Sequence, residues 1–260
     1  MTDLFFQRAE KAVRGVLEGV RGELLQHYGS IEFTAKQDKS VVTRLDKLVE
    51  EKLREALRPL DKGIGILGEE FGPEGNQDTM WLLDPIDGTQ QFIRGIPSCK
   101  NLVCLVKDGQ PEWALMYMFV TDRWWVARRG QGARCNGQLA TMRYRSLDQA
   151  WIEAYMDYSV PANAKVLERV RPYVKGITDL RNFELLIEGK ADGAISVHDG
   201  GGPWDYAPRA LLVEEVGGKI ANIGSDTFDF HNDTFLVAHQ RNFDELMKLL
   251  TTPAIPGVTN

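Results

Sequence analysis

Two carboxylates three positions apart, Asp84 and Asp87, stand in the run Trp81-Leu82-Leu83-Asp84-Pro85-Ile86-Asp87-Gly88-Thr89. An apolar stretch of this kind reads as a buried strand. Acids just past its end can converge on one point, while Gly88 lets the backbone come close to a ligand. Asp-Pro and Asp-Gly are also ordinary turn dipeptides, and alone the run supports either reading equally. Gly68-Glu69-Glu70 follows the apolar residues 64–67 and puts more acids at a strand end, or else in a solvated loop. Pro203-Trp204-Asp205 opens a helix, where Asp205 could serve simply as the N-cap and Trp204 as core.

In combination, Glu69, Asp84, Asp87 and Asp205 offer only hard oxygen donors, with no His or Cys beside them to favour zinc. Such a set suits Mg²⁺ or a similar ion. If the carboxylates gather, each pair about 4 Å apart repels by about 4 kcal/mol at an effective dielectric of about 20, so cations must accompany them. Bound metal reverses the sign of the local field and lets an acidic protein take up a phosphate. One ion can acidify a bound water while a second, roughly 3.5 to 4 Å away, stabilises the leaving oxygen of an in-line displacement.

The elements that must position these acids follow from hydrophobic period. From Ala9, apolar residues at 12, 13, 16, 17, 20 and 24 mark one face of a helix ending near Tyr28-Gly29, and residues 43–57 form a second helix with Thr43 as N-cap and Pro59 beyond its end. The period then shortens. Residues 65–67, 81–83, 101–106, 113–120 and 124–127 are short, aromatic or β-branched, and split by turn formers such as Asp108-Gly109, which predicts a mostly antiparallel sheet. Beyond a seam at residues 138–145 the pattern alternates: strand near 150–155, helices 162–170 and 179–188, strand 193–197, helix 206–216, strand 234–238, helix 242–250. Two halves, 1–140 and 141–260, are expected to share one compact unit, with a loose tail from residue 251.

The 260 residues are 43% hydrophobic, enough for a sizeable core, and the formal net charge of -6 argues against nucleic-acid polymers and anionic lipid as partners. Cys99, Cys104 and Cys135 are an odd number in a chain too large to need staples, which suits buried free thiols in a cytoplasmic protein. No signal peptide is read at the start, and no apolar run reaches the roughly 20 residues of a membrane span. Trp124-Trp125, the aromatics at 155–158 and the methionines at 116–118 read as core or subunit contacts.

The motifs Gly68-Glu69-Glu70, Asp84-Pro85-Ile86-Asp87-Gly88-Thr89 and Trp204-Asp205, with Glu214-Glu215-Val216-Gly217-Gly218 behind the last, closely resemble those of the inositol monophosphatase family. Val42-Thr43-Arg44-Leu45-Asp46 and Gly189-Lys190-Ala191-Asp192-Gly193 extend the likeness over nearly the whole chain. The resemblance implies an α+β / α/β fold, a layered αβαβα sandwich of the sugar-phosphatase type, with the site between the halves. It implies that Glu69, Asp84, the Ile86 carbonyl, Asp87 and Asp205 bind two or three Mg²⁺ ions. Thr89, supported by Asp46, would help Glu69 activate the attacking water, and the backbone N–H groups of Gly88 and Thr89 would hold the phosphate at a helix start. Asp46 also fits a capping box with Thr43. Direct hydrolysis of a small-molecule phosphate ester, Li⁺ inhibition and a homodimer follow from the same likeness.

Two positions depart from the pattern of members acting on inositol phosphates. His198 stands seven residues before Asp205, where those members carry a glutamate that touches substrate hydroxyls, and Lys175-Gly176-Ile177-Thr178-Asp179-Leu180-Arg181 replaces an Arg-x-x-Gly-Ser pattern. Both fall where the family reads the alcohol half of the substrate, which makes histidinol phosphate, or another sugar or polyol phosphate, a rival to inositol phosphate. Fructose-1,6-bisphosphate and adenosine bisphosphate are further alternatives. His198 and Arg181 are equally well read as a surface loop residue and a solvated helix charge. Two other classes compete. Gly63-Ile64-Gly65-Ile66-Leu67-Gly68 fits a dinucleotide fingerprint, but its apolar residues lie inside the motif and Glu69-Glu70 would repel a pyrophosphate. A non-catalytic relative is disfavoured by the intact ligand set.

Overall fold

The computed structural model describes residues 1–35, 41–156, 160–177, 183–198 and 200–252. The chain divides into two compact units, Met1–Leu139 with Gly202–Leu212, and Ala140–Gly201 with Val213–Asn260. Arg181, the expected helix start at Asp179, Tyr158 and residues 253–260 of the tail lie outside the described residues.

The first unit begins with α1 (Asp3–His27), whose N-terminus is capped by the Thr2 hydroxyl accepting from the Phe5 N–H. Its apolar stripe, Phe6, Ala9, Val13, Leu17, Val20 and Leu24, is buried. The short pair β1 (Thr34–Ala35) and β2 (Val41–Val42) precedes α2 (Arg44–Leu57). A full capping box starts α2: Thr43 caps it, and Asp46 accepts from the Thr43 N–H at 2.7 Å. There follow β3 (Gly65–Gly68), β4 (Gly72–Glu74), β5 (Thr79–Asp87), α3 (Thr89–Arg94), β6 (Lys100–Lys107), β7 (Gln110–Met118), β8 (Arg123–Arg128), β9 (Ala133–Cys135) and β10 (Gln138–Ala140). Among the described residues these strands form one eight-stranded sheet, in the order β10-β9-β8-β7-β6-β5-β3-β4, antiparallel from β5 to β9 and between β3 and β4, with β3 parallel to β5.

The stripes of α1 and α2 pack with Trp81, Leu83, Val103, Leu105, Trp113, Leu115 and Tyr117 into one core. Because β3 leads into β4 through a turn and not into a helix, with Gly65 and Gly68 in the strand and Gly63 in the turn before it, the dinucleotide reading falls. A Cβ on Gly65 would lie 1.8 Å from the Asn76 carbonyl oxygen, so close strand packing explains that glycine. Trp124, Trp125, Met116 and Met118 are buried, as are the free thiols Cys99 and Cys104.

The second unit contains β11 (Ile152–Met156), α4 (Pro161–Val170), β12 (Val174–Ile177), α5 (Phe183–Ile187) and β13 (Gly193–Val197). After α6 (Pro203–Glu215), which belongs to the first unit as far as Leu212, come β14 (Gly218–Asn222), β15 (Phe235–His239) and α7 (Gln240–Thr251). Among the described residues its sheet has the order β12-β11-β13-β15-β14, with β11 parallel to β12 and β13, and β15 antiparallel to both neighbours. Its core gathers Ile152, Ala154, Ile195, Leu236, Phe243 and Leu246. The strands β12 and β14 are additions to the elements read from the sequence: each is short and carries a lysine, so neither shows a clear alternation. No described helix is long and apolar enough to cross a membrane.

Candidate active site

In a regular strand Asp84 and Asp87 would point to opposite faces, because side chains alternate. The register prevents this. Asp84 pairs with Leu102 and Asp87 with Lys100, so β5 advances three residues while β6 advances two. The extra residue is a bulge at Pro85-Ile86, and it turns both carboxylates to one side. Proline fits there because it needs no ladder N–H, and the Asn101 side-chain amide donates to the Pro85 carbonyl. The strand ends at Gly88, whose φ of +81° places it in the left-handed region before α3.

Asp205 arrives from the first turn of α6. It is not the N-cap but the third residue of the helix, and its Oδ2 reaches back to accept from the Gly202 N–H at 2.7 Å. Ligand oxygens of Asp84, Asp87 and Asp205, all buried, lie within 4.8 Å of one another. Glu69 stands beside them because β3 runs parallel to β5: its N–H donates to the Leu83 carbonyl at 3.1 Å, next to Asp84. Burial first, then the charges of Glu69, Asp205 and Asp87, push the Asp84 carboxyl well above the usual range, with Arg209 opposing. Asp84 is only 2% exposed, and among the described residues its Oδ1 has no hydrogen-bond partner. An orphaned carboxylate oxygen among converging acids is unstable unless a cation supplies the missing bond, so the donor set fits a hard divalent ion.

Two buried cations also reach this cluster. Arg209, four residues after Asp205 on α6, donates from Nη2 to Asp87 Oδ2 and from Nη1 to Asp205 Oδ1 at 3.3 Å. Lys100, opposite Asp87 on β6, places Nζ 3.6 Å from the same Asp87 Oδ2. Burial alone would lower the Arg209 pKa, but the facing Asp87 and Asp205 outweigh it and hold it raised. Sequence reasoning missed both residues. The available signal was a charge inside an apolar helix run, Ala207-Pro208-Arg209-Ala210-Leu211, where an unpaired arginine is rarely buried.

Asp46 is fully buried at the start of α2. It accepts from the Thr43 hydroxyl at 2.6 Å and from the Thr89 hydroxyl at 3.0 Å, and Thr89 Oγ1 also lies 3.0 Å from the Ile86 carbonyl oxygen. Burial, partly offset by the Thr43 bonds, lifts the Asp46 carboxyl to about 6. One aspartate therefore caps α2 and holds Thr89 beside the bulge. A third missed residue, Glu50, positions the acidic loop: its carboxylate accepts from the Glu70 N–H at 2.7 Å and the Phe71 N–H at 3.2 Å and pairs with Arg54 at 2.8 Å. A Cβ on Gly68 would sit 2.0 Å from Glu50 Oε1, which accounts for glycine ahead of Glu69. His198 belongs to the second unit. Its side chain is 72% exposed, its φ is +52°, and Nδ1 lies 3.1 Å from Asp233 Oδ1.

Mixed α/β units carrying a buried cluster of oxygen donors suit metal-assisted chemistry on an anionic substrate, and comparison with known proteins supplies the class. Residues 4–252 match the model of the inositol monophosphatase family. A histidinol-phosphatase of Mycobacterium tuberculosis is 29% identical over 209 residues, covering 74% of this chain and 78% of that protein. A fructose-1,6-bisphosphatase/inositol-1-monophosphatase of Thermotoga maritima is 24% identical over 240 residues, covering 87% and 90%. Among solved structures, an IMPase of Thermotoga maritima superposes with a TM-score of 0.82 at 23% identity, covering 94% of this chain and 96% of that one. The chain belongs to the inositol monophosphatase family, and it is a phosphoric monoester hydrolase of that metal-dependent group.

Proposed function

We propose that the protein hydrolyses a phosphate monoester of a small sugar or polyol in a Mg²⁺-dependent reaction. The observation that carries this reading is the convergence of Asp84, Asp87 and Asp205, with an oxygen of Asp84 left without a partner. Glu69, Asp84, the Ile86 carbonyl, Asp87 and Asp205 would hold the ion or ions. When bound, Mg²⁺ supplies Lewis acidity, making water easier to deprotonate and stabilising a leaving alkoxide.

The chain's own residues do the rest. Glu69 and the Thr89 hydroxyl orient the attacking water, and Glu69 accepts its proton. Asp46 fixes the Thr89 rotamer through the 3.0 Å bond. The backbone N–H groups of Gly88 and Thr89, brought round by the left-handed Gly88, donate to the phosphate oxygens. For the alcohol half of the substrate His198 is the candidate by its place in the sequence, seven residues before Asp205. Cytoplasmic location and a homodimer remain part of the proposal and are tested by fractionation and by sedimentation.

Histidinol phosphate is the second reading. It is favoured by the Mycobacterium tuberculosis relative's name and by His198 in place of a glutamate. The deciding experiment measures phosphate release from inositol, histidinol, fructose and adenosine phosphates with Mg²⁺, without it, and with Li⁺. Metal-dependent release from one of them is expected. No release from any overturns the enzymatic reading, and release that survives chelation overturns the metal role.

A further inference from the structure

The acidic cluster carries its own positive charges, and they fall on one side of it. Arg209 and Lys100 are each 1% exposed. Both touch Asp87 Oδ2, and Arg209 also bridges to Asp205. Among the described residues neither forms an ion pair with Asp84, which feels Arg209 only as the weakest of the charges acting on it, and Asp84 is where the orphaned oxygen lies. The four carboxylates Glu69, Asp84, Asp87 and Asp205 set against these two cations leave two negative charges, the charge of one divalent ion. Without the two cations, two divalent ions would be needed.

Resting on the metal-dependent reading above, we propose that Arg209 and Lys100 are resident counter-cations that take the place of one divalent ion at the Asp87 and Asp205 side, so that the site is completed by a single divalent ion at Asp84.

The geometry supports this in three ways. The Arg209 guanidinium lies between the Asp87 and Asp205 carboxylates, and its planar fork bonds to both at once. A second divalent ion there would face the guanidinium as a like charge in a buried setting, where repulsion is weakly screened. The cations are also fixed in place. Arg209 is bonded through Nη1 to the Asp205 backbone carbonyl at 3.2 Å, one helical turn back, and Lys100 is held in register opposite Asp87 by the β5 to β6 ladder. Moving either one away removes a buried ion pair from Asp87. Both are therefore positioning residues: they set the number of ions and the orientation of Asp87 and Asp205.

The test counts ions with Mn²⁺, a paramagnetic stand-in for Mg²⁺, added alone to the full chain. Two ions roughly 3.5 to 4 Å apart are magnetically coupled, whereas a single ion gives an isolated six-line resonance. The wild-type chain is expected to hold one tightly bound, uncoupled Mn²⁺. Arg209→Met, which keeps an apolar stem and removes the charge, is expected to take up a second, coupled ion with at least a tenfold gain in second-ion affinity. Lys100→Met gives a smaller gain in the same direction, and it decides the case if Arg209→Met does not fold. A coupled pair in the wild type, or variants that still hold one ion, would overturn the proposal while leaving the metal-dependent reading intact. A wild type that binds none would sink both.

Discussion

Asp84 bears the sharpest conflict between folding and function. It is buried, faces Glu69, Asp205 and Asp87, and keeps one oxygen without a partner among the described residues. Asp84→Asn removes the repelled charge, so in metal-free protein its Tm is expected to rise by a few degrees, as about 1 kcal/mol brings in a chain of this size. Turnover should fall by about 10³-fold or more, since several kcal/mol of charge stabilisation is lost with a metal ligand. Thermal melts and phosphate assays on the same sample check both signs. For Asp46, whose carboxyl titrates at about 6 in the fold, the folded chain keeps a proton that the unfolded chain gives up near pH 4. Its contribution to stability is therefore present in full below about pH 4 and lost as pH rises through about 6. In urea melts of metal-free protein, the stability of wild type relative to Asp46→Asn should decline across that window, and a flat difference would refute the assignment. The acids themselves were legible in the sequence, since their types and strand-end positions point to hard-ion chemistry. Lys100 and Asn101 were not, because each acquires its role from a cross-strand register that no local pattern encodes; Arg209 showed only as a charge in an apolar helix run, since its partner Asp87 is far away in sequence. Glu50 was hidden differently: with Arg54 at i,i+4 it has the spacing of a surface pair, yet both are buried.

At the level of elements, the site is a product of where β5 breaks its own rule. The Pro85-Ile86 bulge turns residues of odd separation to one side, and the parallel β3 next to it brings Glu69 within reach of Asp84. Helix α2 contributes from two successive turns: Asp46 in its first turn holds Thr89, and Glu50 one turn on ties down the Glu70 and Phe71 N–H groups. Glu50→Ala leaves the Arg54 guanidinium with its buried partner gone, and the expected cost is about 3 kcal/mol in urea unfolding, with turnover reduced as well because the Glu69 loop loosens. A loss below about 1 kcal/mol would show that Glu50 is not the anchor. The helices α1 and α2 and the central strands could be read from hydrophobic period, which is strong over long amphipathic segments and over β-branched runs between turn residues. The six residues of α3 are too few to show a helical period. In β14 the residues Gly218-Lys219-Ile220-Ala221-Asn222 lack alternation, and pairing with β15 makes them a strand.

For the molecule as a whole, an acidic chain of net charge -6 that binds a phosphate ester depends on local reversal of its field. Folding then couples to metal, since the unfolded chain has no gathered carboxylates. At a Mg²⁺ concentration about 100 times its Kd the native state should gain about 2.7 kcal/mol, seen as a rise in Tm that chelation reverses. The site's acids come from the first unit alone, including the Gly202–Leu212 segment that returns to it. The most direct test of the central claim is a calorimetric titration of Mg²⁺ into the wild-type chain and into Asp84→Asn. Saturable uptake by the wild type, abolished or weakened at least a hundredfold in the variant, is the expected result. No uptake by the wild type, or equal uptake by both, would contradict it.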